Sequence, residues 1–175
     1  MEVKIGLEIH VELKTKSKMF CSCKNEYGGE ANTRICPICI GEPGTLPSPN
    51  KEVIEKVLKL AISLNSKINK FSIFTRKNYF YPDLPKGYQI TQYGISIAEG
   101  GFVEINGKKI FIERINIEEE TAKSIYTETQ EVLLDFNRCG IPLIEIVTKP
   151  LINSPDEAVL FLKELRKIIR YIDIS

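Results

Sequence analysis

The sequence predicts an α+β domain, an antiparallel sheet with helices packed on one side, and three observations carry that expectation. Residues 1–13 alternate strictly: Val3, Ile5, Leu7, Ile9, Val11 and Leu13 are set against Lys4, Gly6, Glu8, His10 and Glu12, the period of a strand buried on one face. Residues 102–117 read as a hairpin, because Asn106-Gly107 suits the positive dihedrals of a type I′ turn between two apolar runs. Two segments, one after Asn50 and one after Ser154, carry apolar residues at helical spacing.

Composition narrows the class. At 175 residues, 43% hydrophobic and 27% charged, the chain has material for one domain with a real core, which excludes disordered and fibrous classes. Twenty-four basic residues against 23 acidic give a net charge of +1, so a nucleic-acid partner would need a local patch rather than an overall field. No apolar run approaches membrane-spanning length and no signal-peptide core follows Met1, so we expect no membrane and a soluble, cytoplasmic bacterial protein, with an organelle left open. Five cysteines in that setting suit thiolate ligands better than disulfides.

Successive side chains of a strand alternate faces, so Glu8, His10 and Glu12 emerge together from the opening strand. His10 is the single histidine of the chain, and any imidazole chemistry therefore belongs to this metal-capable row. A solvated polar face is the plain alternative, because antiparallel sheets commonly expose one side. Lys14 to Lys18 forms a basic turn, after which Cys21 and Cys23 open a small module, residues 19–41, that Cys36 and Cys39 close. Two close thiolate pairs can meet across the intervening loop around one tetrahedral zinc, and four thiolates leave no open position, so such an ion would hold the loop rather than catalyse. Unligated buried cysteines are the alternative here, and Cys139 reads as a small packing residue.

Gly41 to Asn50 is dense in residues that break regular structure, and Asn50 can cap the helix that follows, with Val53, Ile54, Val57, Leu58, Ala61 and Leu64 on its apolar face. Arg76 to Gln89, with Gln92 and Tyr93 close behind, has no strand or helix period. Two prolines and a glycine fix its backbone while cations, aromatics and amides crowd together, as a ligand-facing loop needs; a packed structural loop with snorkelling cations is the alternative. The hairpin's second arm ends in Glu118-Glu119-Glu120, three adjacent carboxylates that are either solvated or held by a cation. Asp135 to Gly140 turns the chain into Ile141 to Val147, where Glu145 shares a face with apolar residues and therefore needs a cation or several donors. At the last helix Ser154 caps, Pro155 takes the first position and Glu157 completes a capping box, with Val159, Leu162, Leu165, Ile168, Ile169 and Ile172 as the apolar stripe.

These residues resemble a known family. Ile5 to Leu13, Phe20 to Cys23, Cys36 to Pro47, Arg76 to Tyr93, Pro142 to Val147 and Ser154 to Ala158 together are similar to the start of GatB, the B subunits of glutamyl-tRNA(Gln)/aspartyl-tRNA(Asn) amidotransferases. The resemblance runs through all 175 residues in unbroken order and identifies 1–175 as the N-terminal part of that family's catalytic, kinase and transamidase domain, related in fold to glutamine synthetase. It implies ATP-dependent phosphorylation of the side-chain carboxylate of misacylated Glu-tRNA(Gln), Asp-tRNA(Asn) or both. Ammonia from a GatA-type glutaminase subunit, assembled with a GatC-type small subunit, then displaces the phosphate.

The resemblance further implies that Glu8, His10, Glu119 and Glu145 bind Mg2+. Lys77 and Lys86 match polar positions on the ammonia path or near the site, with Arg76 and Asp83 beside them toward the ATP, and Cys21, Cys23, Cys36 and Cys39 take structural Zn2+. Strand alternation puts Glu118 and Glu120 on the face of Arg114 and Asn116, so Glu119 reaches a common site only through a bulge or a strand end. Asn116 stands where family members often have His, and Glu120-Thr121-Ala122 replaces the usual Asp-Ala-Gly. The family also continues into a further catalytic segment, a helical domain and a tRNA-binding tail, so a fragment is expected. A different class of reading is a non-catalytic, zinc-bearing scaffold that binds tRNA or the partner subunits. A metallohydrolase would leave Arg76 to Gln92 unexplained.

Overall fold

The computed structural model describes residues 2–175, and Met1, part of the expected opening strand, lies outside them. The elements run β1 (Glu8–Glu12), α1 (Pro37–Ile40), α2 (Lys51–Ser63), β2 (Lys67–Ile68), β3 (Thr75–Asn78), β4 (Tyr88–Thr91), β5 (Ala98–Glu99), β6 (Phe102–Ile105), β7 (Lys108–Glu119), β8 (Lys123–Tyr126), β9 (Val132–Asp135), a 3-10 turn at Phe136–Arg138, β10 (Pro142–Thr148) and α3 (Pro155–Tyr171). The main sheet has the order β1-β10-β7-β5-β2, with β6 also on β7; β3-β4 and β8-β9 are separate ribbons. Every one of these pairings is antiparallel, and the chain is α+β.

Strand β7 is the spine. Its first half pairs with β6 across the Asn106-Gly107 turn, where both residues take positive φ, 48° and 79°. Its second half lies between β10 and β5. The register of β10 on β7 slips between Val147 and Thr148, and this irregularity changes which parity of β7 faces inward. Ile110 and Ile112 are buried before it, Ile115 and Ile117 after it. Arg114, Asn116 and Glu118 are thereby turned to the opposite face. The inward isoleucines meet Ile144 and Ile146 of β10 and the apolar sides of α2 and α3 in a single core cluster.

Local signals set both long helices. The Asn50 side chain accepts the Glu52 amide at 2.9 Å, and Val53, Val57, Leu60 and Ala61 face the core. The Ser154 hydroxyl accepts the Glu157 amide at 3.2 Å with Pro155 at the first helical position. The Glu157 carboxylate takes the Asn153 amide and the Lys108 ammonium instead of the amide of its own cap residue, so the expected capping box is displaced by one residue.

Four features differ from expectation. The opening strand is confined to Glu8–Glu12, because its partner β10 ends at Thr148 before Pro150, which has no amide hydrogen; upstream only Ile5 forms an isolated bridge, to Ile152. The segment expected to be irregular begins and ends as strand, β3 pairing with β4 from Thr75↔Thr91 to Asn78↔Tyr88, so the loop proper is 79–87. Hairpin β8-β9 was unexpected, since its four-residue arms carry no clear alternation. On α3 the buried row is Phe161, Leu165 and Ile169, while Val159 and Leu162 are exposed: the apolar arc is wide, and packing against β6 selects its edge.

That rotation of α3 is measurable. Phe161 is fully buried and Leu162 is 41% exposed. Phe161→Ala is expected to cost about 3–5 kcal/mol by urea unfolding, and Leu162→Ala below about 1 kcal/mol.

Candidate functional site

The pairing of β1, β10 and β7 assembles an acidic cluster on the face away from the isoleucines. His10 lies opposite Glu145, and Glu145 opposite Asn116. Ligand atoms of Glu8, His10 and Glu145 all fall within 4.8 Å of one another. Glu118 joins from β7, its carboxylate 3.1 Å from His10 Nε2 and accepting hydrogen bonds from the Thr91 hydroxyl and, at 3.3 Å, the Gln89 amide. The Asn116 amide donates to Glu145 at 2.7 Å, and its own Oδ1 is buried without a partner. Arg114 stands 3.9 Å from the same Glu145 oxygen.

Charge states follow from these neighbours. The Glu118 carboxylate against the ring pushes His10 above its ordinary 6.5, against the opposing effect of burial. Burial pushes Glu118 up, but the hydrogen bonds of His10 and Thr91 with the charges of His10 and Lys77 carry it below 4.5. Burial raises Glu145, and the Asn116 hydrogen bond offsets only part of that. One imidazole with two carboxylates suits an oxygen-preferring divalent ion such as magnesium or manganese, and their mutual reach fits a shared ion.

Beside the cluster opens a cavity of about 900 Å³, lined by Glu8, Glu118 and Glu145 together with Arg76, Lys77 and Arg114. The Arg76 guanidinium lies 4.5 Å from the Tyr88 ring centroid, which fixes its direction. Acids and cations lining one cleft can hold a metal-bound polyphosphate. Of the residues singled out in sequence, Glu8, Glu145, Arg76 and Lys77 line this cavity, and His10 adjoins it through its contacts with Glu145 and Glu118.

Three others do not. Glu119 points to the other side of β7, where its buried carboxylate pairs with the Lys86 ammonium and accepts the Ile90 amide at 3.0 Å. Lys86 is spent on that pair and does not line the cavity. Asp83 accepts from the Thr121 hydroxyl at 3.2 Å and, through its carbonyl, from the Ala122 amide at 2.8 Å. Glu118 takes the place at His10 for which the resemblance offers Glu119. The alternation Arg114, Asn116, Glu118 was its signal. Gln89 and Thr91, which hold Glu118, had no signal beyond membership of a polar segment.

The four cysteines converge at the end of α1. Pro37 starts that single turn, and Gly41, at φ 72°, ends it in the left-handed conformation. Cys39 Sγ lies 3.5 Å from Cys21, 3.6 Å from Cys36 and 3.7 Å from Cys23, and no disulfide joins them. A tetrahedron with zinc–sulfur bonds of about 2.3 Å has an edge of about 3.8 Å, so the donor set fits zinc. Lys18, read in sequence as part of a basic turn, is fully buried instead, with its ammonium 3.5 Å from Cys39 Sγ and 2.8 Å from the Arg34 carbonyl. A hydrogen bond from Cys21 and the Lys18 charge together lower the Cys39 thiol to about 4 against the effect of burial. Cys139 packs beside Cys39 and Ala122, its thiol pushed up to about 12 by burial.

An antiparallel α+β scaffold thus presents two separate groups that could hold a metal ion, a carboxylate–imidazole cluster beside a cation-lined cleft and a four-cysteine module. The chain matches the GatB/GatE catalytic domain over residues 3–175 and belongs to that family. It is 54% identical over 177 residues to the B subunit of the aspartyl/glutamyl-tRNA(Asn/Gln) amidotransferase of Thermosipho melanesiensis, covering 98% of this chain and 37% of that protein. It is likewise similar to the B subunits of the aspartyl/glutamyl-tRNA(Asn/Gln) amidotransferases of Thermotoga maritima, 54% identical with 98% and 38% covered, and of Campylobacter curvus, 52% identical with 99% and 37% covered. The chain thus spans less than two-fifths of the length of these relatives. No helix among the described residues is long and apolar enough to cross a membrane.

The His10–Glu118 contact sets a pH window. In the metal-free protein His10 holds its proton above 6.5 and Glu118 releases its own below 4.5. The pair therefore contributes its full stability between those two values, loses it as pH rises through the raised His10 value, and loses it as pH falls through the lowered Glu118 value. Thermal melts should show the largest gap between wild type and His10→Gln inside that window. Divalent-ion affinity should rise with pH through the same upper limit, because the ion competes with the imidazole proton.

Proposed function

We propose that this domain carries the carboxylate-activating step of a tRNA-dependent amidotransferase. The meeting of Glu8, His10 and Glu145, with Glu118 hydrogen-bonded to His10, beside a cleft that the three carboxylates line together with Arg76 and Lys77 carries this reading. Phosphoryl transfer asks little covalent work of a protein. It asks for charge neutralisation and in-line placement. A divalent ion bound at the cluster would supply the neutralisation of phosphate oxygens; Glu8, His10, Glu145 and Glu118 would hold it, and Arg76 and Lys77 would hold ATP by its phosphates.

In the proposed reaction, the side-chain carboxylate of glutamate on tRNA(Gln), or of aspartate on tRNA(Asn), attacks the terminal phosphorus of ATP. ADP leaves, and ammonia then displaces phosphate to give the amide. Ammonia would come from a GatA-type glutaminase subunit, with a GatC-type subunit in the assembly and a misacylated tRNA as substrate. The names of the relatives support the substrate class and the existence of other subunits. Family kinship likewise supports a glutamine synthetase-like sheet with helices on one face. Zinc at Cys21, Cys23, Cys36 and Cys39 would be structural, since all four positions of a tetrahedron are filled.

Glu145→Gln in the complete polypeptide tests the site. The substitution keeps shape and removes charge, so calorimetric titration should show magnesium or manganese affinity falling at least about tenfold. The fold should lose below about 1 kcal/mol, because Arg114 is 38% exposed and stays solvated when its partner is neutralised. A loss of about 3–5 kcal/mol with unchanged metal affinity would make Glu145 a buried salt-bridge partner instead. In the assembled enzyme, Lys77→Ala should lower ATP-dependent activation while glutamine hydrolysis persists. A scaffold without catalysis would keep its zinc and bind no magnesium nucleotide.

A further inference from the structure

We infer that the four-cysteine module positions the acidic cluster, through a strut made of Gly41, Lys86 and Glu119; this rests on the cluster being the metal site proposed above. Glu118 and Glu119 are consecutive at the end of β7 and leave it on opposite faces. Glu118 meets His10, while Glu119 is clamped on the side of the cysteines by the Lys86 ammonium and the Ile90 amide. Whatever fixes Glu119 therefore fixes the backbone from which Glu118 projects.

The module reaches this clamp at two points. Gly41, the left-handed residue that closes α1 just after Cys39, lies directly against Lys86: a Cβ placed on it would come within 3.0 Å of Lys86 Cβ and 3.1 Å of Lys86 Cα, besides clashing with Cγ. Backbone, not only a flexible tip, is in the way. On the other side Gly140, at φ 81°, is the spacer, since a Cβ there would stand 3.6 Å from Lys18 Cδ and 3.8 Å from Glu119 Oε2. Lys18 in turn contacts Cys39. Lys86 also precedes β4, whose Gln89 donates to the Glu119 carbonyl at 2.8 Å and to Glu118 at 3.3 Å and whose Thr91 donates to Glu118. One placement of Lys86 thus governs both Glu119 and the donors that orient Glu118. An acid held by outer hydrogen bonds of this kind loses about 10- to 100-fold in metal affinity when they are disturbed.

The matched pair Gly41→Ala and Gly44→Ala tests the strut. Both glycines lie after α1 with positive φ, 72° and 85°, but nothing stands within 4 Å of a Cβ on Gly44. Backbone strain is therefore common to both variants, and contact with Lys86 belongs to one. In the complete polypeptide with its natural partners, zinc content is measured by elemental analysis and Mn2+ binding by electron paramagnetic resonance. Gly41→Ala should keep its zinc and raise the Mn2+ dissociation constant about tenfold, with Gly44→Ala unchanged. Lys86→Met, which keeps the stem against Gly41 but strands Glu119, should do the same with zinc retained, and stands in if Gly41→Ala fails to fold. Equal Mn2+ affinity in wild type, Gly41→Ala and Lys86→Met would overturn the strut. Absence of any Mn2+ site in wild type would overturn the metal reading itself, and the strut with it.

Discussion

Like charges held side by side constrain everything else in this structure. Glu8, Glu145 and Glu118 converge on His10, and two unit charges about 4 Å apart repel by about 4 kcal/mol even at an effective dielectric near 20. Side chains free to move would separate. They stay because each stands on a strand locked to its neighbour, β1 on β10 and β10 on β7, with Ile144, Ile146, Ile115 and Ile117 anchored in the core beneath. The apolar face supplies the rigidity, and the polar face stores electrostatic tension that a divalent cation would relieve. His10, Asn116, Thr91 and Gln89 relieve part of it in the metal-free protein.

The register irregularity opposite Val147 and Thr148 decides which residues share that tension. Without the change of parity on β7, the residues continuing the face of Ile110 and Ile112 would be Arg114, Asn116 and Glu118, and these would point into the core. A one-residue slip exchanges the faces of a strand, so this single feature turns the polar set outward. It also divides the acidic run. Glu118 goes to the cleft, Glu119 to the Lys86 side, and Glu120 pairs with Arg138, which also holds Glu12. Three adjacent carboxylates thereby acquire three different cationic partners.

Much of this was legible in residue order. The alternation around Glu8 and His10, the Asn106-Gly107 turn, the Asn50 and Ser154 caps and the paired cysteines are local signals, and each corresponds to an element or cluster seen here. The partners of Glu119 and Lys86 were not legible, because they are 33 residues apart and meet only after β4 packs on β7. Lys18 was hidden for a similar reason. In a run of lysines nothing marks the one that Cys39 and the Arg34 carbonyl will draw inward. The extent of β1 and the edge of α3 that turns inward were likewise set by partners, not by local pattern.

The role proposed for His10 is that of a ligand to a divalent ion and not simply a hydrogen-bond partner of Glu118. Pulsed electron paramagnetic resonance of the Mn2+-loaded protein reads it directly, because a coordinated imidazole nitrogen modulates the manganese echo with a nitrogen hyperfine coupling. The coupling should be present in the wild-type protein above the raised pKa of His10 and absent in His10→Gln. Bound Mn2+ with no nitrogen coupling in the wild type, or the same coupling after His10→Gln, would contradict the account.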